Sequence, residues 1–273
     1  MDLKSTITLN DGVQIPGLGL GTFRSSPGRE TIEAVEYALD LGYRHIDTAA
    51  MYGNEEEVGK AVRNSNIARK DVFVTTKVWN DDHGYDETLK AFDESYRKLD
   101  IDYVDLYLIH WPLPGKRIET WKALEKLKEE GLVRSIGISN YTIKHTEEVL
   151  NESGVKPSVN QFELHPYLYQ KELIDYLWKN DIHVEAYCPL TRARKLDDPK
   201  LAAIAEKYNK TSAQILIKWS LQRGFVVIPK SVHKSRIKEN ADVFDFEISD
   251  EDMTKIDNFH EDYRVTWDPS KVD

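Results

Sequence analysis

Eight strand-sized apolar runs alternate with helical segments along this chain, and no polar linker interrupts the alternation. The runs fall near residues 17–21, 44–47, 72–77, 104–110, 133–138, 157–161, 183–187 and 225–228. Between them the apolar residues take helical spacing, as Ile32, Val35, Ala38 and Leu39 do within 29–41. The other helices are expected at 55–64, 86–99, 118–130, 142–151, 170–180 and 212–223. Eight strand–helix units in 273 residues suit one closed parallel barrel better than a doubly wound sheet. The expectation is an α/β chain, a single (β/α)8 TIM barrel domain over residues 1–273 with two extra helices, one of them at 198–208. Ahead of it, Asn10-Asp11-Gly12 is a hairpin turn signal between residues 3–9 and a return strand at 13–15. That hairpin is expected to cap the bottom of the barrel.

One segment tests this reading. Gly17-Leu18-Gly19-Leu20-Gly21-Thr22 looks like a dinucleotide loop, but its glycines alternate strictly and do not fit G-x-G-x-x-G. Glycines on one face of a strand signify close backbone packing or room for a ligand. The segment is read as the first barrel strand.

Polar groups recur where three successive strands end. Ile46 closes a run and Asp47 follows; Tyr52 lies in the next loop, and Asn54 with Glu55, Glu56 and Glu57 opens a helix, Asn54 as its N-cap. The third strand ends in Lys77 and the fourth in His110. In a parallel barrel these ends share one face, where active sites sit. Each residue alone has an ordinary explanation: a helix cap, a surface charge, loop packing, a satisfied loop carbonyl. Together they form an acid–base set. An ammonium near a phenol lowers its pKa, an aspartate fixes the ammonium, and a histidine can hold a carbonyl oxygen or relay a proton. Such a set protonates a carbonyl oxygen as its carbon receives a hydride, and because no side chain supplies hydride, a nicotinamide cofactor is implied.

The net charge of −10 argues against a general nucleic-acid binder. No signal-peptide core or membrane-length apolar run is present, and one cysteine, Cys188, allows neither an internal disulfide nor a multi-cysteine metal site. A cytoplasmic protein is expected, with no metal, no membrane and no nucleic acid. Against that acidic background, residues 230–240 carry Lys230, His233, Lys234, Arg236 and Lys238 just past the last strand, at the start of a helix, where phosphate is favoured.

The long motifs Gly42-Tyr43-Arg44-His45-Ile46-Asp47-Thr48-Ala49, Asp105-Leu106-Tyr107-Leu108-Ile109-His110-Trp111-Pro112, Gly137-Ile138-Ser139-Asn140 and Ile228-Pro229-Lys230-Ser231 resemble the aldo-keto reductases. The likeness runs over residues 8–257 and is nearest to the short prokaryotic and protozoan members that act on small aldehydes, glyoxals or diketo-gluconates. It implies an NADPH-dependent, monomeric barrel enzyme reducing small carbonyl compounds. Tyr52 becomes the general acid, Lys77 and Asp47 its tuners, and His110 the group that orients the carbonyl. Ser139, Asn140 and Gln161 would bind the nicotinamide carboxamide, and Tyr187 would stack on its ring. Gly21, Thr22, Pro189 and Leu190 would line the cofactor. Lys230, Ser231, Val232, Arg236, Glu239 and Asn240 would hold the adenosine 2′-phosphate and adenine. Phe23, Trp79 and Trp111 would wall the substrate pocket, with Met51 beside them.

Three departures from the pattern stand out. Cys188 replaces a usual serine, Phe23 a frequent tryptophan, and Thr191-Arg192-Ala193-Arg194-Lys195 a glycine-led loop. The three cations of that loop are expected to meet cofactor phosphates or an anionic substrate. Competing readings are a metal hydrolase using His45, Asp47, His110 and His165, a Schiff-base lyase using Lys77, and a cofactor-binding regulatory subunit on the same fold.

Overall fold

The computed structural model describes residues 2–272. Strands β1 (Thr6–Thr8) and β2 (Gln14–Pro16) form an antiparallel hairpin with Ile7 opposite Ile15. Its turn uses Gly12 at φ 84°, a left-handed conformation that costs glycine little. Ile15 and Leu9 pack with Phe73, Leu106, Leu108, Val159 and Val226, plugging the amino-terminal end of the barrel. Asn10 Nδ2 donates to the carbonyls of Pro157 and Asp181, and the Asp11 carboxylate accepts from Ser135, Ser158 and Lys128. The expected bottom cap is present, its return strand one residue later than expected.

The barrel strands are β3 (Leu20–Gly21), β4 (His45–Asp47), β5 (Phe73–Val78), β6 (Val104–Ile109), β7 (Val133–Ser139), β8 (Val159–Glu163), β9 (His183–Tyr187) and β10 (Val226–Val227). They pair in parallel, in sequence order. Parallel bridges Leu18↔Val227 and Gly21↔Lys230 join the last strand to the first and close the barrel. The regular ladder of β3 is shorter than the 17–21 expected, but its glycines do allow close packing. A Cβ on Gly19 would stand 2.7 Å from His45 Nδ1, and one on Gly21 would stand 2.9 Å from the Ile228 carbonyl oxygen.

Ten helices surround the sheet among the described residues: α1 (Arg29–Leu41), α2 (Glu55–Asn64), α3 (Tyr85–Leu99), α4 (Arg117–Glu129), α5 (Ile143–Glu152), α6 (Lys171–Lys179), α7 (Pro199–Lys207), α8 (Ser212–Gln222), α9 (Lys234–Ala241) and α10 (Asp250–Asp257). Helices α7 and α10 stand outside the eightfold alternation and are the two extras. Local chemistry sets several starts: Thr142 and Thr211 form capping boxes with His145 and Gln214, and Asp198 caps the Pro199 turn. Such a cap contributes about 1 kcal/mol. Far more comes from the layer between sheet and helices, where Trp121, Trp219 and Phe92 are fully buried. Each large apolar side chain there contributes roughly 1.5–3 kcal/mol.

Candidate active site

The carboxyl ends of β4, β5 and β6 bring Asp47, Lys77 and His110 together, and a 3-10 turn (Ala50–Tyr52) after β4 adds Tyr52. Lys77 is fully buried. Its ammonium donates to Asp47 Oδ1 at 2.8 Å, Asp47 Oδ2 at 2.7 Å and the Thr48 carbonyl at 2.8 Å. The same Nζ lies 5.1 Å from the Tyr52 ring centroid. The Tyr52 ring meets His110 edge-on at 5.7 Å and Phe23 at 5.0 Å, and Trp79 meets His110 at 5.1 Å. With all three hydrogens of its ammonium engaged, Lys77 is placed as a fixed charge and not as an amine nucleophile, which disfavours the Schiff-base reading. For the hydrolase reading, no group of three or more His, Cys, Asp or Glu side chains is arranged to hold a metal ion among the described residues.

One expectation is corrected. Desolvation, and then the Asp47 carboxylate, push the Tyr52 phenol well above its ordinary pKa. The Lys77 charge, offset by Asp47 at contact distance, does not outweigh this. Tyr52 is therefore a protonated hydroxyl at neutral pH. Desolvation, then Lys77 and His83, drive His110 well below its usual value, so its ring is neutral and offers one N–H. A hydroxyl, a neutral imidazole and a buried ion pair thus converge on one aromatic-walled mouth.

Asn54 starts α2 as expected, but its side chain caps nothing. It accepts from Thr48 Oγ1 and donates to the carbonyls of Thr22 and Ser25, tying the first two strand-to-helix loops together.

The expected cofactor residues divide into two groups. Asn140, at φ 64°, donates to the His110 carbonyl and to Ser139 Oγ, and its Oδ1 accepts from the Tyr187 hydroxyl at 2.7 Å. Ser139 Oγ donates to the Gln161 carbonyl. Gln161 differs from expectation: its amide nitrogen bonds Asp47 Oδ2 at 2.9 Å and Glu185 Oε2 at 3.0 Å, which leaves its oxygen as the atom for a ligand. The Thr22 hydroxyl is likewise spent on the Asp47 carbonyl, and Gly21 pairs with Asp47 across β3 and β4. Pro189 is buried and Leu190 half-buried.

At the other end, Lys230 and Arg236 are exposed. Lys230 Nζ donates to the Arg24 carbonyl at 3.2 Å, and Lys234 lies over the Tyr37 ring. Ser231 is buried, Val232 packs on the core, and Asn240 is buried at the far end of α9. Helix α9 opens at His233 with no side-chain cap. Exposed cations beside an uncapped amino end match a phosphate-bearing ligand. Glu239 is partly committed, since its carboxylate accepts from Thr211. In the 191–195 loop, Lys195 is also committed: it pairs with Glu261 and lies over Tyr167 and Tyr263. Of that loop's three cations, Arg192 and Arg194 are exposed.

Some contributors were invisible in the one-dimensional pattern. Glu163 is buried and accepts from the Val265 and Thr266 amides and from Thr266 Oγ1, and Thr266 Oγ1 contacts the Tyr187 hydroxyl at 3.1 Å. This clamp brings the carboxyl-terminal segment to the mouth, where Trp267 packs on Trp111. Glu185 lies inside the barrel, and a carboxylate in the middle of the apolar run 183–187 was the available signal.

The aldo/keto reductase family model matches residues 17–261. The chain is 51% identical to the glyoxal reductase of Bacillus subtilis (strain 168) over 270 residues, covering 99% of this chain and 98% of that one. It is 47% identical to a 9,11-endoperoxide prostaglandin H2 reductase of Trypanosoma cruzi (strain CL Brener), covering 96% and 94%. Among solved structures, a Gox0644 variant in complex with NADPH superposes with a TM-score of 0.94 at 45% identity, covering 99% of both chains. With the closed barrel and the convergent Tyr52, Asp47, Lys77 and His110, these likenesses show that the chain belongs to the aldo/keto reductase family.

Proposed function

We propose that this enzyme uses NADPH to reduce small, reactive aldehydes of the glyoxal class, with Tyr52 as proton donor. The observation that carries the reading is Tyr52 beside the buried Lys77–Asp47 pair, in a mouth where Phe23 packs on Tyr52 and Trp79 on His110. Neutral His110 orients the carbonyl oxygen through its N–H. Tyr52 gives that oxygen its proton, and the nearby Lys77 ammonium stabilises the phenolate left behind until solvent reprotonates it. Asn140 and Tyr187, hydrogen-bonded to each other, would hold the nicotinamide, and Lys230 and Arg236 would receive the 2′-phosphate. Bound there, NADPH supplies the hydride that no side chain can.

The loops at the mouth are short. Seven residues, 110–116, separate β6 from α4. Such a site discriminates weakly among small aldehydes, since one methylene in an apolar pocket changes binding by only ~1–3 kcal/mol. The test is kcat/KM on a panel from methylglyoxal and nitrobenzaldehydes to steroid ketones, for wild type and Tyr52→Phe. Small aldehydes are expected to lead, and Tyr52→Phe to lose about 10²–10⁴-fold while still binding NADPH by fluorescence titration. A steroid preferred over every small aldehyde sinks the substrate class, and a variant keeping more than half its activity sinks the proton donor.

A further inference from the structure

Beneath the Lys77–Asp47 pair the barrel encloses a second carboxyl. Asp47 and Glu185 are both buried, at 2% and 0% exposure. The one ammonium among them, Lys77, spends all its hydrogens on Asp47 and the Thr48 carbonyl. Gln161 Nε2 bridges the two carboxyls, touching Asp47 Oδ2 and Glu185 Oε2. The other Glu185 oxygen, Oε1, has no hydrogen-bond partner and stands 3.7 Å from His45 Nε2. That His45 nitrogen already contacts Thr75 Oγ1 at 3.0 Å. An ionised carboxylate with one amide hydrogen for support and no cation of its own is costly in a sealed interior. A carboxyl that keeps its proton is not.

We propose that Glu185 is a positioning residue: as a neutral carboxyl it fixes the Gln161 amide, and its ionisation weakens Tyr52 as an acid. The Gln161 nitrogen is then committed downward to the two carboxyls, and its oxygen remains for the ligand side. The groups facing Glu185 agree with the extra proton. From β4 come Asp47 and His45, from β5 Lys77 and Thr75, and from β8 Gln161. Burial first, then Asp47, push the Glu185 carboxyl up to about 8, while burial, then Lys77, hold His45 down at about 3. The proton therefore resides on Glu185 and not on the imidazole. Once it leaves to solvent, a second negative charge sits below Asp47. Glu185 is among the groups that raise the Tyr52 pKa, so the phenol becomes a poorer donor as pH passes about 8.

The test uses the full chain and two independent readouts. The first is ¹³C NMR of protein labelled at the glutamate δ-carbon, without cofactor. One resonance is expected to titrate near pH 8 in wild type and to vanish in Glu185→Gln. Glu55, a second buried carboxyl whose pKa burial raises, is assigned with Glu55→Gln, so the wild-type spectrum decides even where Glu185→Gln folds poorly. The second readout rests on the reductase reading: kcat with NADPH and one aldehyde as a function of pH. A group titrating near 8 makes the wild-type rate fall about tenfold between pH ~6.5 and ~9, whereas Glu185→Gln stays within about twofold. A Glu185 resonance titrating in the ordinary carboxylate range overturns the proposal. So does an unchanged alkaline inflection in Glu185→Gln.

Discussion

The buried Lys77–Asp47 pair makes a strong quantitative prediction about stability. Lys77→Met fills similar volume and removes three hydrogen bonds of 2.7–2.8 Å. Asp47 is left with one side-chain donor, Gln161, in a site where its side chain is 3% exposed. Breaking a buried pair from one side costs about 3–5 kcal/mol, because the remaining charge is uncompensated. At about 2–3 °C per kcal/mol for a chain of this size, the melting midpoint drops on the order of 6–15 °C. Asp47→Asn added to Lys77→Met removes the stranded charge, so the double variant should be more stable than Lys77→Met alone. Urea unfolding of wild type, both single variants and the double variant gives the coupling directly, expected at about 2–3 kcal/mol. A Lys77→Met cost below about 1 kcal/mol, or a double variant no better than the single, refutes the claim that the barrel interior holds these charges only as a pair.

Two further outcomes follow from other groups. Arg236→Ala should weaken NADPH much more than NADH in paired titrations, since Arg236 is an exposed cation at the first turn of α9; equal losses mean it does not read the 2′-phosphate. Stability should also fall as pH drops below about 6.5: burial holds His45, His83 and His183 at about 3, 4 and 4 and His110 well below its usual value, so only the unfolded chain takes up those protons. The raised Glu185 and Glu55 act in the opposite sense but are outnumbered, and a urea midpoint unchanged from pH ~7 to ~5 contradicts this balance.

The alternation of apolar runs and helical spacing was enough to specify the barrel, because each strand–helix unit carries its own periodicity and needs no distant partner to declare it. The hairpin cap was legible for the same reason: Asn10-Asp11-Gly12 is a local turn signal. Asp47, Tyr52, Lys77 and His110 were legible because parallel pairing puts every strand's carboxyl end on one face, so position in sequence converts to position in space. Partnership was not legible. That Asn54 ties loops instead of capping α2, and that Lys195 pairs with Glu261, depends on contacts between segments far apart in the chain. Gln161 and Glu185 lie on adjacent strands 24 residues apart, and Glu163 reaches Thr266 across 103. Charge state was decided there too. Sequence supplies an ammonium near a phenol, but only the closed barrel removes water from both and sets Asp47 against Lys77. Desolvation and that neutralisation keep the proton on Tyr52, and both are properties of the enclosed volume rather than of the order of residues.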